Sequence, residues 1–209
     1  MNRQMAAPES NLSPQAMTEC ILREIGRFHP PARPVLVALD GRCASGKTTL
    51  AEHLRRLCGC AVVHLDDFFL RPEQRTGRRL EIPGENVDHE RFLEEVLLPL
   101  HRGEAAEYRP FDCAARQLGD PVRVEPAALV VVEGSYSCHP SLWPYYDWRV
   151  FLTLRPEEQL RRIEQRNGAQ AAQVFRTRWI PLEERYFSAF QIAARCDRCF
   201  DTTQSGALP

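Results

Sequence analysis

The sequence predicts an α/β fold in which a parallel sheet is covered by helices on both faces. Continuous apolar runs occur at 35–39 and 128–132, and such runs are typical of strands that are buried on both faces. Stretches with helical periodicity separate the apolar runs. This alternation favours parallel strands joined by helical crossovers within one sheet.

The first elements are justified by helix-start and apolar patterns. Ser13 before Pro14 is a typical helix start, and this helix is predicted to run to about Arg27. A buried strand at 35–39 then leads through a glycine-rich turn into a helix at 47–57. Leucines recur in that helix every three or four positions, so they form one apolar stripe.

The middle of the chain begins with a short strand at 61–65, followed by a long polar stretch. Asp88 is a suitable cap for a helix at 89–101. Residues 107–109 and 122–124 predict either a small hairpin or two separate extended pieces.

The last part of the chain completes the sheet. In order, we expect a strand at 128–132, a strand at 149–154, a helix from Pro156 to about 167, a helical stretch to about 194 that Pro181 interrupts, and a strand at 196–201. The sheet would then have about five strands. Ligands of such sheets bind at the carboxyl ends of the strands.

Length and composition predict one soluble domain. The chain has 209 residues, of which 44% are hydrophobic and 26% charged. We expect a disordered lead-in at 1–12, a single domain at 13–203 and a tail at 204–209. A net charge of −1 gives no basic field for nucleic acid. No apolar run has membrane-spanning length, and the start lacks an apolar signal core, so we expect a cytoplasmic protein.

The chain has eight cysteines, which predict free thiols in a reducing cytoplasm. The alternative is a four-sulfur zinc site formed by Cys58, Cys60, Cys196 and Cys199. Their spacing does not form two CxxC pairs, which disfavours zinc.

Residues 41–48 match the pattern G-x-x-x-x-G-K-[ST], between a predicted strand and a predicted helix. Glycines allow backbone N–H groups to turn towards phosphate oxygens, and the following helix directs its positive end at the same anion. Lys47 can reach the β- and γ-phosphates, and Thr48 can ligate Mg²⁺. The pattern therefore predicts a P-loop NTPase-type three-layer fold that binds ATP and Mg²⁺ through Gly41, Arg42, Cys43, Ala44, Ser45, Gly46, Lys47, Thr48 and Thr49.

Lys47 is unusual in this chain, because the other basic residues among the 27 Lys and Arg are all arginines. A compact ammonium on a thin stem can reach beneath a phosphate-wrapped loop more easily than a planar guanidinium can. The alternative is a glycine-rich turn with a solvated lysine, which this usage disfavours.

Three carboxylates follow predicted strands. Asp66 and Asp67 come directly after one strand, and one of them could accept a proton from a substrate hydroxyl or help to hold Mg²⁺. Glu133 ends another strand and is a candidate Mg²⁺ ligand. The alternatives are capping aspartates and a solvated strand end.

Arginines are concentrated in the predicted helix after the strand at 149–154. Arg162 and Arg166 are four residues apart and therefore share a face. Such arginines predict a lid, at about 160–185, that stabilises a transferred phosphoryl group. The alternative is a solvated helix in which Glu157, Glu158 and Glu164 pair with the arginines.

With these motifs in order, the chain resembles the uridine kinase and phosphoribulokinase family of P-loop kinases, and especially its short bacterial members. The resemblance covers most of 35–202 and also includes four further segments: Glu85-Asn86-Val87-Asp88-His89, Tyr108-Arg109-Pro110-Phe111-Asp112, Trp179-Ile180-Pro181-Leu182-Glu183 and Tyr186-Phe187.

The resemblance implies a helical lid and assigns roles to particular residues. In uridine kinases the aspartate matching Asp66 contacts the 5′-hydroxyl and acts as base, and the one matching Asp88 holds the ribose hydroxyls. The tyrosine matching Tyr108 lies near the base pocket. The resemblance further implies that Glu133 supports Mg²⁺ and that Arg162 and Arg166 contact phosphates. Uridine kinases usually carry serine where Asp67 stands, and the hairpin that reads uracil is compressed here.

The leading hypothesis is therefore a kinase that phosphorylates the 5′-hydroxyl of uridine or cytidine. A second hypothesis keeps this chemistry but changes the acceptor to pantothenate or a sugar phosphate, for which the long polar stretch offers the basic residues Arg71, Arg75, Arg78 and Arg79. A third is an ATPase or nucleotide switch. We expect a small-molecule substrate, no nucleic acid, no membrane partner and, since relatives often associate, a homo-oligomer as one option.

Overall fold

A computed structural model of the chain describes residues 8–10, 12–28 and 32–204. Among them, no helix is both long and apolar enough to cross a bilayer. Most of the predicted lead-in and the predicted tail beyond residue 204 lie outside the described residues.

The core of the fold is a parallel sheet of six strands. They are β1 (Glu9–Ser10), β2 (Val35–Gly41), β3 (Ala61–His64), β8 (Leu129–Glu133), β9 (Trp148–Thr153) and β10 (Arg198–Asp201), in the spatial order β1-β10-β9-β2-β8-β3. The central strand β2 is buried along its whole length, which explains its continuous apolar sequence. The carboxyl ends of β2, β3 and β8 therefore meet at one edge of the sheet.

Four further strands form two small antiparallel pairs outside this sheet. They are β4 (Ala106–Tyr108) with β7 (Val122–Val124), and β5 (Phe111–Asp112) with β6 (Gln117–Leu118). The predicted hairpin is confirmed, with the second pair inserted between its two strands.

Helices cover both faces of the sheet. They are α1 (Pro14–Ile25), α2 (Lys47–Cys58), α3 (Gly77–Glu81), α4 (His89–Phe92), α5 (Leu98–His101), α6 (Pro156–Asn167), α7 (Ala169–Val174), α8 (Ile180–Phe190) and α9 (Ile192–Arg195). Alternate residues of β2 point into separate cores. Val37 and Leu39 pack with α1 and α2, whereas Leu36 and Ala38 pack in the core that includes Tyr186 of α8.

Two predictions about elements needed correction. Glu9–Ser10, inside the predicted disordered lead-in, forms the edge strand β1 beside β10, and two residues are too few to leave a periodic signal. Pro181 does not interrupt its helix but is the second residue of α8. A π-helical turn at Phe175–Trp179 precedes it, and such a turn adjusts the backbone bonding around a residue that lacks an N–H group.

The cysteine pairs considered for zinc lie near opposite edges of the sheet. Cys58 and Cys60 come just before β3, Cys196 lies two residues before β10, and Cys199 lies within β10. Three strands separate β3 from β10. At about 4.8 Å per strand, β3 and β10 are about 19 Å apart. A shared four-sulfur site is therefore wrong.

Candidate active site

The phosphate loop connects the end of β2 to α2, as the sequence predicts. Gly41 has φ +137°, and a Cβ atom there would lie 2.0 Å from the Leu152 carbonyl oxygen, so only glycine fits. Gly46 has φ +91° and caps α2 without a side-chain hydrogen bond. The first N–H groups of α2 are therefore directed towards the loop, where they can bind an anion.

Lys47 lies beneath this loop with only 8% of its surface exposed. Its Nζ donates to the carbonyl oxygens of Gly41 and Arg42 at 2.8 and 2.9 Å, and Ser135 Oγ is 3.5 Å away. These contacts direct the ammonium to the edge where β2 and β8 end.

Glu133 and Thr48, the two predicted Mg²⁺ ligands, are in contact with each other. The Thr48 hydroxyl donates to Glu133 Oε1 at 3.1 Å, and His64 Nδ1 lies 2.6 Å from the same oxygen. This contact with the carboxylate raises the pKa of His64. Hydroxyl and carboxylate oxygens are the ligands that Mg²⁺ prefers. The contact of His64 with Glu133 was not predicted from the sequence.

Asp66, rather than Asp67, faces the site. Burial among protein atoms, together with Glu133 and Glu183, raises the pKa of Asp66 to about 6, although Lys47 opposes the shift. The residue is nevertheless more than a third exposed to the cavity, so water screens part of this effect. Asp67 instead accepts a hydrogen bond of 2.9 Å from the Tyr108 hydroxyl.

A single cavity of about 820 Å³ joins these groups. It is lined by the phosphate loop, by the strand-end acids and by twelve further residues: Phe69, Arg75, Asn86, Cys113, Ser135, Tyr136, Arg162, Gln165, Arg166, Phe175, Trp179 and Glu183. The size is within the range of ligand sites and leaves room for more than phosphate groups.

The two predicted lid arginines both line this cavity but differ in their environment. Arg162 is buried and donates to Glu158 Oε1 at 2.7 Å and to the Thr202 carbonyl at 2.7 Å. Arg166 is exposed, and its Nε bonds Asn167 Oδ1 at 2.8 Å. Arg161, which does not line the cavity, also donates to Glu158. The alternative in which arginines of this helix pair with its acids therefore applies to part of the helix.

Asp88 and Tyr108, which the resemblance assigned to substrate binding, are not among the residues that line the cavity. The Asp88 carboxylate caps α4 by accepting from the Arg91 N–H at 3.3 Å, and it accepts from Gln74 Nε2 at 2.8 Å. Both residues are buried, Asp88 at 3% and Tyr108 at 5% exposed. Each has a structural hydrogen-bonding role in this arrangement.

Three of the predicted loop residues, Gly41, Arg42 and Ser45, also lie outside the cavity walls. Arg42 turns away and makes a two-point ion pair with Glu184 of α8, at 2.6 and 2.9 Å. The Arg42 side chain therefore binds α8 through Glu184, and the backbone N–H groups of the loop remain available to phosphate.

Glu183 is the main site residue that sequence reasoning did not assign. It is buried in the cavity wall, and its carboxylate accepts from Ser135 Oγ at 2.8 Å and from the Cys43 N–H at 3.1 Å. The only sequence signal was its place in the motif 179–183. Helix α8 is thus attached to the phosphate loop through two adjacent acids, Glu183 and Glu184.

Asp40 is a third attachment point between α8 and the phosphate loop. This buried carboxylate accepts from the N–H groups of Gly41, Tyr136 and Cys138, at 2.6, 3.1 and 2.8 Å. It also accepts from the Tyr186 hydroxyl of α8 at 2.7 Å. Burial raises the pKa of Asp40 to about 6, despite these donors.

A second group of metal-ligating side chains lies outside the cavity. Single ligand atoms of Glu85, His89 and His139 lie within 4.8 Å of one another. The imidazole rings are stacked, however, with centroids 4.0 Å apart and planes 16° apart, so their nitrogen lone pairs do not converge. Glu85 is also paired with Arg79 at 3.1 Å. The geometry fits a packing cluster rather than a metal site.

Comparisons with known proteins agree with this arrangement. A family model described as an AAA domain matches residues 37–176. A solved structure of a possible uridine kinase from Bacillus stearothermophilus is 18% identical, covers 90% of this chain and 98% of its own, and has a TM-score of 0.68. A proposed fructose transport system kinase from Silicibacter is 22% identical, with coverage of 91% and 100% and a TM-score of 0.66.

A D-glycerate 3-kinase from Cryptococcus neoformans is also similar, at 17% identity, with coverage of 82% and 87% and a TM-score of 0.58. At these identities the likeness shows the fold alone. The resemblance to P-loop kinases that the motifs indicated is thereby confirmed at the level of the fold. The acceptors named for these three proteins differ from one another, so they do not define a single substrate.

Proposed function

The chain belongs to the P-loop family that the AAA domain model describes, and from this premise we propose that it is an ATP-dependent kinase acting on a hydroxyl group of a small molecule. The observation that carries the proposal is the shared cavity. Lys47 of the phosphate loop, the carboxylate of Asp66, and Arg162 and Arg166 of α6 all line it, which supports a common role for them. A nucleotide switch would not need a carboxylate that faces an acceptor space.

The proposed reaction depends mainly on positioning and charge. Asp66 accepts the proton of the acceptor hydroxyl as its oxygen attacks the γ-phosphorus. Lys47, Arg162 and Arg166 balance the negative charge of the transferred phosphoryl group. Glu183 holds the Ser135 hydroxyl and the Cys43 amide, and so fixes the walls around Lys47.

Thr48 and Glu133 would hold Mg²⁺, because their oxygens already lie 3.1 Å apart at the edge of the phosphate loop. The hard oxygen donors fit this cation. When bound, Mg²⁺ supplies positive charge next to the nucleotide phosphates. Asp66 lies at the same strand edge and is the further candidate ligand.

For the acceptor, the motif resemblance names uridine or cytidine as one candidate. The aromatic rings of Phe69, Tyr136 and Trp179 line the cavity and could stack on a base, and Asn86 could bond its edge. Since Asp88 and Tyr108 do not line the cavity, the nucleoside-specific part of the resemblance is the weaker part. Other hydroxyl acceptors, such as fructose or glycerate, use the same proposed chemistry.

The proposal can be tested by measuring ATP consumption with a panel of hydroxyl acceptors, in the parent and in Asp66→Asn. This variant keeps the size of the side chain and removes the proton acceptor. We expect acceptor-dependent ATP consumption in the parent and a loss of at least about 100-fold in the variant. Asp112→Asn, in the outer strand pair, is a matched control. ATP consumption that no acceptor changes would contradict a kinase and favour a nucleotide switch.

A further inference from the structure

The segment after β3 carries four arginines, and the structure assigns them to different environments. Arg71 lies beside Glu73 and Asp88, at 3.5 and 3.9 Å. Arg79 pairs with Glu85 and Glu90, and Arg78 is exposed on α3 outside the cavity. Of these four side chains, only Arg75 lines the cavity that contains Asp66.

The position of Arg75 is set by contacts that leave its charge unbalanced. Its Nε donates to the Leu70 carbonyl at 2.8 Å, and its Nη2 lies 3.8 Å from Cys113 Sγ, beside the β5–β6 pair. Within the described part of the chain, no carboxylate forms an ion pair with it, in contrast to Arg71 and Arg79. Several guanidinium N–H donors therefore remain for a ligand.

The proposed function assigns the other cations that line the cavity to the nucleotide phosphates. Lys47 is part of the phosphate loop, and Arg162 and Arg166 belong to α6. Arg75 comes instead from the segment that begins with Asp66, the proposed base, and ends at Asn86. A planar guanidinium in this position can bind a carboxylate or a phosphate group through two parallel hydrogen bonds.

We propose that the acceptor carries an anionic group, a carboxylate or a phosphate, that Arg75 binds while the acceptor hydroxyl lies at Asp66. This inference rests on the proposed kinase function and narrows its substrate class. In the transfer, the hydroxyl oxygen forms a bond to the γ-phosphorus, and the bond to the β–γ bridging oxygen breaks. The proton passes to Asp66, and ADP leaves with the electron pair. Arg75 takes no part in this step and acts as a specificity-determining residue.

The test compares acceptors in an ADP-release assay on the full chain. Uridine and fructose are the neutral acceptors, D-glycerate and pantothenate are the carboxylates, and fructose 6-phosphate is the phosphate. We expect turnover with an anionic acceptor, and the class that is used distinguishes carboxylate from phosphate. In Arg75→Gln the KM for that acceptor should rise about 10-fold or more, with the KM for ATP unchanged.

Arg78→Gln is the matched control, because Arg78 is an exposed arginine three residues away that does not line the cavity. It should leave both KM values unchanged. If Arg75→Gln lowers the thermal midpoint of unfolding, Arg75→Lys is used as a second variant. Because it keeps the positive charge, it should have a KM for the anionic acceptor between those of the parent and of Arg75→Gln. Turnover of neutral acceptors alone, or equal effects of the Gln variants at 75 and 78, would overturn the inference and leave the kinase proposal intact. If no acceptor is used, the kinase proposal falls, and the inference falls with it.

Discussion

Two buried tyrosines near Asp40 allow a sharp test of how the fold holds its buried carboxylate. The Tyr186 hydroxyl donates to Asp40 Oδ2 at 2.7 Å, whereas the Tyr146 hydroxyl is buried without a hydrogen-bond partner among the described residues. Both side chains are at most 3% exposed. Removing each hydroxyl by Tyr→Phe therefore changes one bonded and one unbonded oxygen in similar surroundings.

A hydrogen bond to a charged group contributes about 1.5–3 kcal/mol, and one between neutral groups contributes about 1 kcal/mol. We expect Tyr186→Phe to lower the free energy of unfolding by about 2 kcal/mol at pH 8, where Asp40 is ionised. At pH 5 the loss should fall to about 1 kcal/mol, since the pKa of Asp40 is about 6 and the carboxyl is then protonated. Tyr146→Phe should be neutral or slightly stabilising at both pH values.

The sign of the pH effect follows from linkage. The pKa of Asp40 in the folded protein is about 6, above its ordinary value of 3.8, so the folded state binds the proton more tightly. The free energy of unfolding that this tighter proton binding adds is fully present below about pH 4 and is lost as the pH rises through 6. Loss of the Tyr186 hydroxyl raises the pKa of Asp40 further, which moves the same transition to higher pH.

Urea unfolding followed by tryptophan fluorescence at pH 5, 6, 7 and 8 measures these differences for both variants and the parent. Differences between variant and parent cancel the titration of other groups. The reasoning would be refuted if Tyr186→Phe lost no more stability than Tyr146→Phe, or if its loss were the same at pH 5 and pH 8.

Three further predictions concern the proposed reaction. Lys47→Ala should weaken binding of a fluorescent ATP analogue at least about 10-fold, because a charge-assisted contact to phosphate is lost; unchanged binding in a titration would contradict the phosphate-loop assignment. Arg166→Ala should lower kcat about 100-fold, whereas Arg161→Ala, which changes an exposed arginine outside the cavity, should not; equal effects would exclude a lid role for Arg166. The kcat/KM should rise with pH through about 6, where the proposed base Asp66 loses its proton, and a flat profile from pH 5 to 8 would argue against Asp66.

The sequence was most informative where local chemistry determines structure. The phosphate loop, Asp66 and Glu133 are recognisable because each lies at the carboxyl end of an apolar strand, and parallel strands place their carboxyl ends together. Glu183 was missed because helical spacing cannot show that a glutamate will meet a loop amide about 140 positions earlier. Asp88 matched a substrate-binding motif, but its neighbours Gln74 and Arg91 occupy the carboxylate, and no pattern in the sequence indicates that competition.

The single lysine of this chain has a practical consequence for chemical labelling. Apart from the amino terminus, Lys47 is the only amine that an acylating reagent can modify. In the folded protein its Nζ is held by two carbonyl oxygens and is almost fully covered. The extent of acylation at one residue, read by mass spectrometry, should therefore report opening of the phosphate loop and global unfolding. A lysine-specific protease would likewise have one bond to cut, and ligands that protect this bond could be ranked without a radioactive or fluorescent nucleotide.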